Sequence, residues 1–578
     1  MDAQAASRRR FMGYLTGIGL GGTLFPGVLY ALHAQERLEN GADDPLVTLA
    51  TIEEAEKLSG LSFSPEQRQI MVEDLNDALR DYRKMQAIHL DNSVAPALVF
   101  NPDIRSRLPI GAPNTTKLIM TPNAARKPSA DADLAFMGIR SLATLLRKRE
   151  ITSVALTELY LNRLRTFDPT LKAVVTYTEE RAMRAAREAD RKFADKKVTS
   201  WLQGIPWGVK DLFATKDYPT TWGSVPYQTQ QIPYDAAVIE KLDAAGAVLI
   251  AKLSMGELAW GDVWFGGKTK NPWNPKVGSS GSSAGVGATV PAGLIGFGIG
   301  TETLGSIVAP ANRNGLTGFR PTFGRVSRYG GMALTWSMDK VGPMCRSAED
   351  CAIVFSMIHG RDPRDLVTRD APFNWPVSPK KLRIGYYAEA FEQDYPNQKA
   401  DAASLNVLRG LGYTLKPVSV SSQYLPGVQT MVIDIEAAAA FEDLTRTQAV
   451  DRMVRQTKDA WPHVFRVAHL RPAVAYVQAN RLRTQMMLEM DDLFQEIDVL
   501  VTPSFGGDLL SITNLTGHPS VTVPNRFDPL PDQPDSPYRE PGSISFVAGL
   551  YRDEHALALA HAFQQETDWH LQRPPVGR

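Results

Sequence analysis

Cysteine is nearly absent: the 578 residues hold only Cys345 and Cys351. No disulfide framework supports the chain, so the fold rests on a packed core. An excess of charge of either sign is also missing, with 63 Lys plus Arg against 63 Asp plus Glu, which removes the electrostatic case for a nucleic-acid partner. None of the nine histidines stands in a metal-binding spacing such as H-E-x-x-H, and His518, just before Pro519, reads as a turn residue rather than a base. The glycines from Gly293 to Gly300 form no G-x-G-x-x-G, and there is no P-loop. Neither metal, cofactor nor nucleotide is expected. No Pro/Gly/Ser linker and no internal repeat divide the chain. What is there is 43% apolar and 22% charged residues, the composition of a globular protein with a large core.

The N-terminus reads apart from the rest. Ser7-Arg8-Arg9-Arg10-Phe11-Met12 opens an uncharged stretch from Phe11 to Leu32, followed by a small-residue cleavage site at Ala31-Leu32-His33-Ala34. Six glycines and Pro26 dilute this stretch, which suits a twin-arginine export signal over residues 1–34 better than a stable membrane helix. An exported protein, periplasmic or extracellular, is expected, touching membrane only through this signal, or anchored by it where it is not cleaved. Residues 35–130 read as a helical and loop-rich extension, with a helix in "PEQRQIMVEDLNDALRDYRKMQAIHL".

From residue 131 to 578 a single domain is expected. "LATLLRKREITSVALTELYLNRLRTFD" has helical spacing throughout, "LQGIPWGVKDLFA" is apolar and extended, and "DAAVIEKLDAAGAVLIAKLSMGELA" reads helix, strand, helix. Strands alternating with helices predict an α/β fold with buried strands. Ser347 and Asp350 resemble a capping box, which places Cys351 in a first helical turn and predicts two free, packed thiols.

Chemistry concentrates in "SSGSSAGVGATVPAGLIGFGIGTETLGS", residues 279 to 306, where apolar residues between the glycines argue against a linker. Gly281-Ser282-Ser283-Ala284-Gly285 matches the nucleophile elbow G-x-S-x-G, but "NPWNPKVGS" before it lacks the strand that motif needs. Lys210 is an isolated charge in an apolar strand, where burial lowers an ammonium's pKa and yields a neutral base. The plainer reading pairs it with Asp211, although neighbours on a strand point to opposite faces. A serine nucleophile needs such a base, and no histidine is placed to serve.

"GIPWGVKDL", "NPWNP", "GSSGSSAG", "GTETLGSIVAPANRNGLTGFRPTFGRVSRYG" and "DKVGPMCRSAEDC" together resemble the amidase signature family, serine hydrolases with a Lys–Ser–Ser triad. The resemblance runs from about Leu134 to Phe563 with the motifs in family order. It implies an α/β fold in which a central mixed β-sheet is covered by helices on both faces. Residue by residue it implies Lys210 as base, Ser282 as the bridging serine behind a cis peptide bond, and Ser306 as nucleophile. The family's spacing, counted back from Ser306, lands on Ser282 rather than Ser279, Ser280 or Ser283, leaving Ser283 a supporting neighbour. The loop "TETLGS" then turns the N–H groups of Thr303, Leu304, Gly305 and Ser306 toward an oxyanion. Three positions depart from the family: Glu302 and Leu304 replace the usual aspartate and glycine, and Val308 replaces an arginine that commonly braces the loop.

The expected activity is hydrolysis of a carboxylic amide, of small-molecule or peptide-like substrates, through an acyl-enzyme on Ser306. The alternatives are the glutaminase component of a tRNA-dependent amidotransferase and an inactive extracytoplasmic binding protein. Oligomeric state stays open, a homodimer included.

Overall fold

A computed structural model of the chain describes residues 47–86, 90–94, 96–109, 111–395 and 397–578. The expected export signal lies outside the described residues. Two compact units divide between His89 and Leu90. In the first, helices Leu49–Ser59 and Pro65–Gln86 are set by local chemistry: Thr48 caps the first, and Gly60, in the left-handed region, ends it. Arg68 joins the two helices by a forked bond to Glu56, with Nε 2.6 Å and Nη2 2.9 Å from the carboxylate.

The second unit begins at Leu90, earlier than the sequence boundary at 130. Residues 90–130 carry little apolar periodicity and so read as a tail, but backbone pairing ties them down. Thr116–Leu118 runs parallel to Phe373–Trp375, and the Asn92 amide accepts from Ala333 N at 2.7 Å and donates to Ala333 O at 3.0 Å.

The core of this unit is an eleven-stranded sheet. In chain order its strands are β1 (Val174–Tyr177), β2 (Pro206–Lys210), β3 (Val248–Leu253), β4 (Phe297–Glu302), β5 (Thr317–Arg320), β6 (Lys340–Cys345), β7 (Ile384–Tyr387), β8 (Leu415–Val418), β9 (Val499–Pro503), β10 (Ser520–Pro529) and β11 (Arg539–Ala548). Their order across the sheet is β8-β7-β9-β11-β10-β5-β6-β4-β2-β3-β1. The sheet is mixed: β2 runs parallel to both β3 and β4, as β7 does to β8 and β9, and the other neighbours are antiparallel. Every residue of β2, β3, β6 and β9 is buried, so both faces of these strands are covered, which their apolar runs required.

Two local expectations need correction. The segment read as one continuous helical run is two helices, Ile139–Lys148 and Ser153–Leu171, separated where Arg149 turns left-handed and Thr152 caps the second; the apolar spacing carries across the break and hides it. Asn274–Gly278 is a strand after all, paired with Lys270–Asn271 in a separate ribbon. Its one proline, Pro275, is tolerated there because a two-stranded ribbon is all edge, and Pro272 falls in the turn between the strands. Ser347 caps helix Ala348–Ile358 through Asp350 N at 3.1 Å, and Cys345 and Cys351 are free and buried.

Candidate active site

Lys210 ends β2, fully buried, between its parallel neighbours β3 and β4. Its Nζ donates to Ser282 Oγ at 2.7 Å and to Thr301 Oγ1, on the neighbouring β4, at 2.9 Å. Burial pulls the ammonium from 10.5 to about 7, against the opposing pull of the Asp339 and Glu302 charges. Asp211 faces elsewhere: its carboxylate lies 3.0 Å from Lys252 Nζ and accepts Thr221 N at 3.0 Å. The Lys210–Asp211 pair does not form, as strand alternation required.

Ser282 sits in the loop before helix Ala284–Thr289, after a cis Gly281–Ser282 peptide bond. Gly281 is obligatory, because a Cβ there would lie 1.8 Å from Gly261 O. The other serines of the cluster hold the loop. Asn314 Nδ2 donates to Ser279 O at 2.7 Å, and Ser280 N donates to Asp262 Oδ2 at 3.0 Å. Ser283 binds both backbone groups of Thr301, each at 3.2 Å, and its N–H donates to Ser306 O at 3.2 Å. Only Ser282 of the four meets the lysine. The strand before the cluster belongs to the small ribbon, not the central sheet, so Ser283 is not on a nucleophile elbow.

Ser306 follows the turn that leaves β4 and precedes helix Val308–Asn314. Gly305 adopts φ +77°, the left-handed region that favours glycine. Leu304 is half-buried, while Thr303 and Ser306 are each 7% exposed, so the turn keeps narrow access to solvent. Among the described residues, no acceptor takes the N–H groups of Thr303, Leu304, Gly305 or Ser306. These are free donors on one turn.

Glu302 fixes that turn. Its Oε2 accepts Ile307 N at 2.8 Å and Val308 N at 2.9 Å, and its Oε1 accepts Arg320 Nη1 at 2.6 Å and Asn514 Nδ2 at 2.8 Å. Burial raises this carboxyl, but Arg320 and the two amides outweigh it and hold it at about 2. Val308 supplies no cation to this loop, and Arg320 reaches it from β5 through Glu302 instead. Asp339 steadies the other side, accepting Thr303 Oγ1 at 2.5 Å, Leu334 N at 2.8 Å and Thr335 N at 3.0 Å.

Thr301, Arg320, Asp339 and Asn514 escaped the sequence reading. Arg320 and Asp339 lie in or beside motifs already singled out, yet nothing local says where their side chains go. His518, buried and held to about 3 by desolvation and by Arg320, bonds Thr516 Oγ1 through Nδ1 at 2.8 Å. No group of three or more His, Cys, Asp or Glu among the described residues is arranged to hold a metal.

The Amidase family model matches residues 155–534. The A subunit of the glutamyl-tRNA(Gln) amidotransferase from Methylococcus capsulatus is 32% identical over 490 residues, covering 76% of this chain and 98% of that protein. Its counterpart from a Marinomonas species is also 32% identical, covering 76% and 99%. The native peptide amidase of Stenotrophomonas maltophilia superposes with a TM-score of 0.67 at 27% identity, covering 77% of this chain and 99% of that one. The matched span takes in β1 to β10 whole and contains Lys210, Ser282 and Ser306: the chain belongs to the amidase signature family, enzymes of amide C–N chemistry.

Proposed function

We propose that this protein is an exported amidohydrolase that cleaves a carboxylic amide through an acyl-enzyme on Ser306. The contact that carries the reading is Lys210 Nζ to Ser282 Oγ at 2.7 Å, made by a lysine that burial holds at about 7. A lysine so placed is half neutral at neutral pH and takes the Ser282 proton as Ser282 takes that of Ser306. Ser306 Oγ attacks the amide carbon, and the N–H groups of the 303–306 turn receive the oxyanion. Collapse breaks the C–N bond, with the proton returned through Ser282 to the leaving amine. Water then adds to the ester carbonyl by the same route and frees the acid. Export rests on the Arg8-Arg9-Arg10 signal pattern alone.

The names of the 32%-identical relatives favour a second reading, the glutaminase component of an amidotransferase. Fluorophosphonate labelling of wild type, Ser306→Ala and Lys210→Ala tests the nucleophile. Labelling lost in both variants is expected, and labelling that persists without Ser306 refutes the assignment. N-terminal sequencing of cell-fractionated protein tests export, with an intact Met1 in cytoplasm as the refuting result.

A further inference from the structure

We infer that the cavity beside these groups receives an uncharged, apolar part of the substrate about as large as a substituted ring, which excludes free glutamine. The inference rests on the proposed acylation of Ser306.

A cavity of about 260 Å³ reaches Thr301, the partner of Lys210, and Thr303, on the turn of free donors. Its walls include Leu212, Phe213, Met332, Leu334 and Val341, all buried. Charged residues line it too, but each is already committed. Arg328 lies 3.1 Å from Asp365, and donates to Trp336 O at 2.6 Å. Arg364 is held by Glu240 at 2.6 Å and Asp362 at 3.0 Å. Asp339 is filled by Thr303, Leu334 and Thr335. Lys340 donates to Met338 O and Asn514 O, and burial beside Arg320 pushes it well below the ordinary lysine value. The Asn92 amide is spent on Ala333 and Ala440. Trp336 Nε1 is the buried side-chain nitrogen left over on this lining, and it is uncharged.

A guest entering here finds largely apolar walls and, among the described residues, no free counter-ion. The ammonium and carboxylate of glutamine would lose water without gaining a partner, the costliest form of burial. An arene loses little, and about 150 Å³ already accommodates benzene, so this volume takes a ring with a substituent.

The test uses the purified wild-type protein. Reaction with a methyl fluorophosphonate, too small to need the cavity, reports Ser306 independently. Kinetics are then compared for acetamide, phenylacetamide, acetanilide and glutamine; the two ring-bearing amides carry the ring on opposite sides of the C–N bond. At least one of them is expected to exceed acetamide by about tenfold or more in kcat/KM, with glutamine unreactive. Met332→Trp, which fills the cavity, is expected to narrow that ratio to within about threefold. Labelled protein that prefers glutamine, or turns over acetamide as well as either arene, overturns the inference and leaves the acyl-enzyme reading standing. Absence of labelling at Ser306 overturns both.

Discussion

Replacing Lys210 by methionine should abolish turnover and stabilise the fold, by an amount that depends on pH. Each tenfold in a protonation equilibrium is worth about 1.4 kcal/mol, so the fall from 10.5 to about 7 represents about 5 kcal/mol of disfavoured charge in the native state. The unfolded chain holds the Lys210 proton until about pH 10.5 and the folded chain releases it near 7. Between those values the unfolded state binds more protons, so wild-type stability rises with pH through this window, and the full penalty is felt below 7. Methionine removes the charge at similar length but forfeits the bonds to Ser282 and Thr301, about 1 kcal/mol each. The net expectation is a gain of about 3 kcal/mol at pH 6. It shrinks to near zero at pH 9, where wild-type Lys210 is already neutral when folded. Urea unfolding followed by tryptophan fluorescence at both pH values measures it. A Lys210→Met protein no more stable than wild type at pH 6, or a difference independent of pH, would refute the reasoning that burial depresses this lysine.

The same titration sets the rate. kcat/KM should rise about tenfold per pH unit below pH 7 and level off above it, as neutral Lys210 accumulates; a flat profile from pH 5 to 8 argues for another base. Ser282→Ala should lower kcat about 10²- to 10⁴-fold by interrupting the proton path, with thermal unfolding near that of wild type; activity within tenfold would remove Ser282 from the relay. Arg320→Met should destabilise by about 3–5 kcal/mol, because it strands the buried carboxylate of Glu302. That destabilisation should shrink as pH falls. With Arg320 present, Glu302 contributes stability above its unfolded value of 4.5 that is lost as pH falls toward about 2. Without Arg320 only the Ile307 and Val308 amides and Asn514 are left to oppose burial, so the folded value rises and less of that stability is lost on acidification; unfolding curves that show the variant losing more stability than wild type as pH falls would refute this.

Much of this protein is legible along the chain. An isolated lysine in an apolar strand, serines flanking a Gly-rich strand, and alternating strand and helix patterns are local signals, because side-chain periodicity and the cost of burying a charge act within a few residues. They locate β2, β4, Lys210 and the serines on either side of β4, from which the family's spacing picks Ser282 and Ser306. The resemblance of five ordered motifs adds the family and the roles. What local signals do not contain is the destination of a long side chain. Glu302 meets Asn514, 212 positions away, and Arg320, 18 positions away, which replaces the cation Val308 lacks. Asp211 turns from its neighbour Lys210 to Lys252, and Asn92 binds Ala333, 241 positions away, which ties the segment from residue 90 onward to the unit of the central sheet. These pairs exist because an eleven-stranded sheet brings distant loops into one dry region, where an unpaired charge or amide is too costly to leave alone. Sequence determined which residues are proposed for the chemistry; only the assembled sheet decided which partners hold them and how apolar a cavity stands beside them.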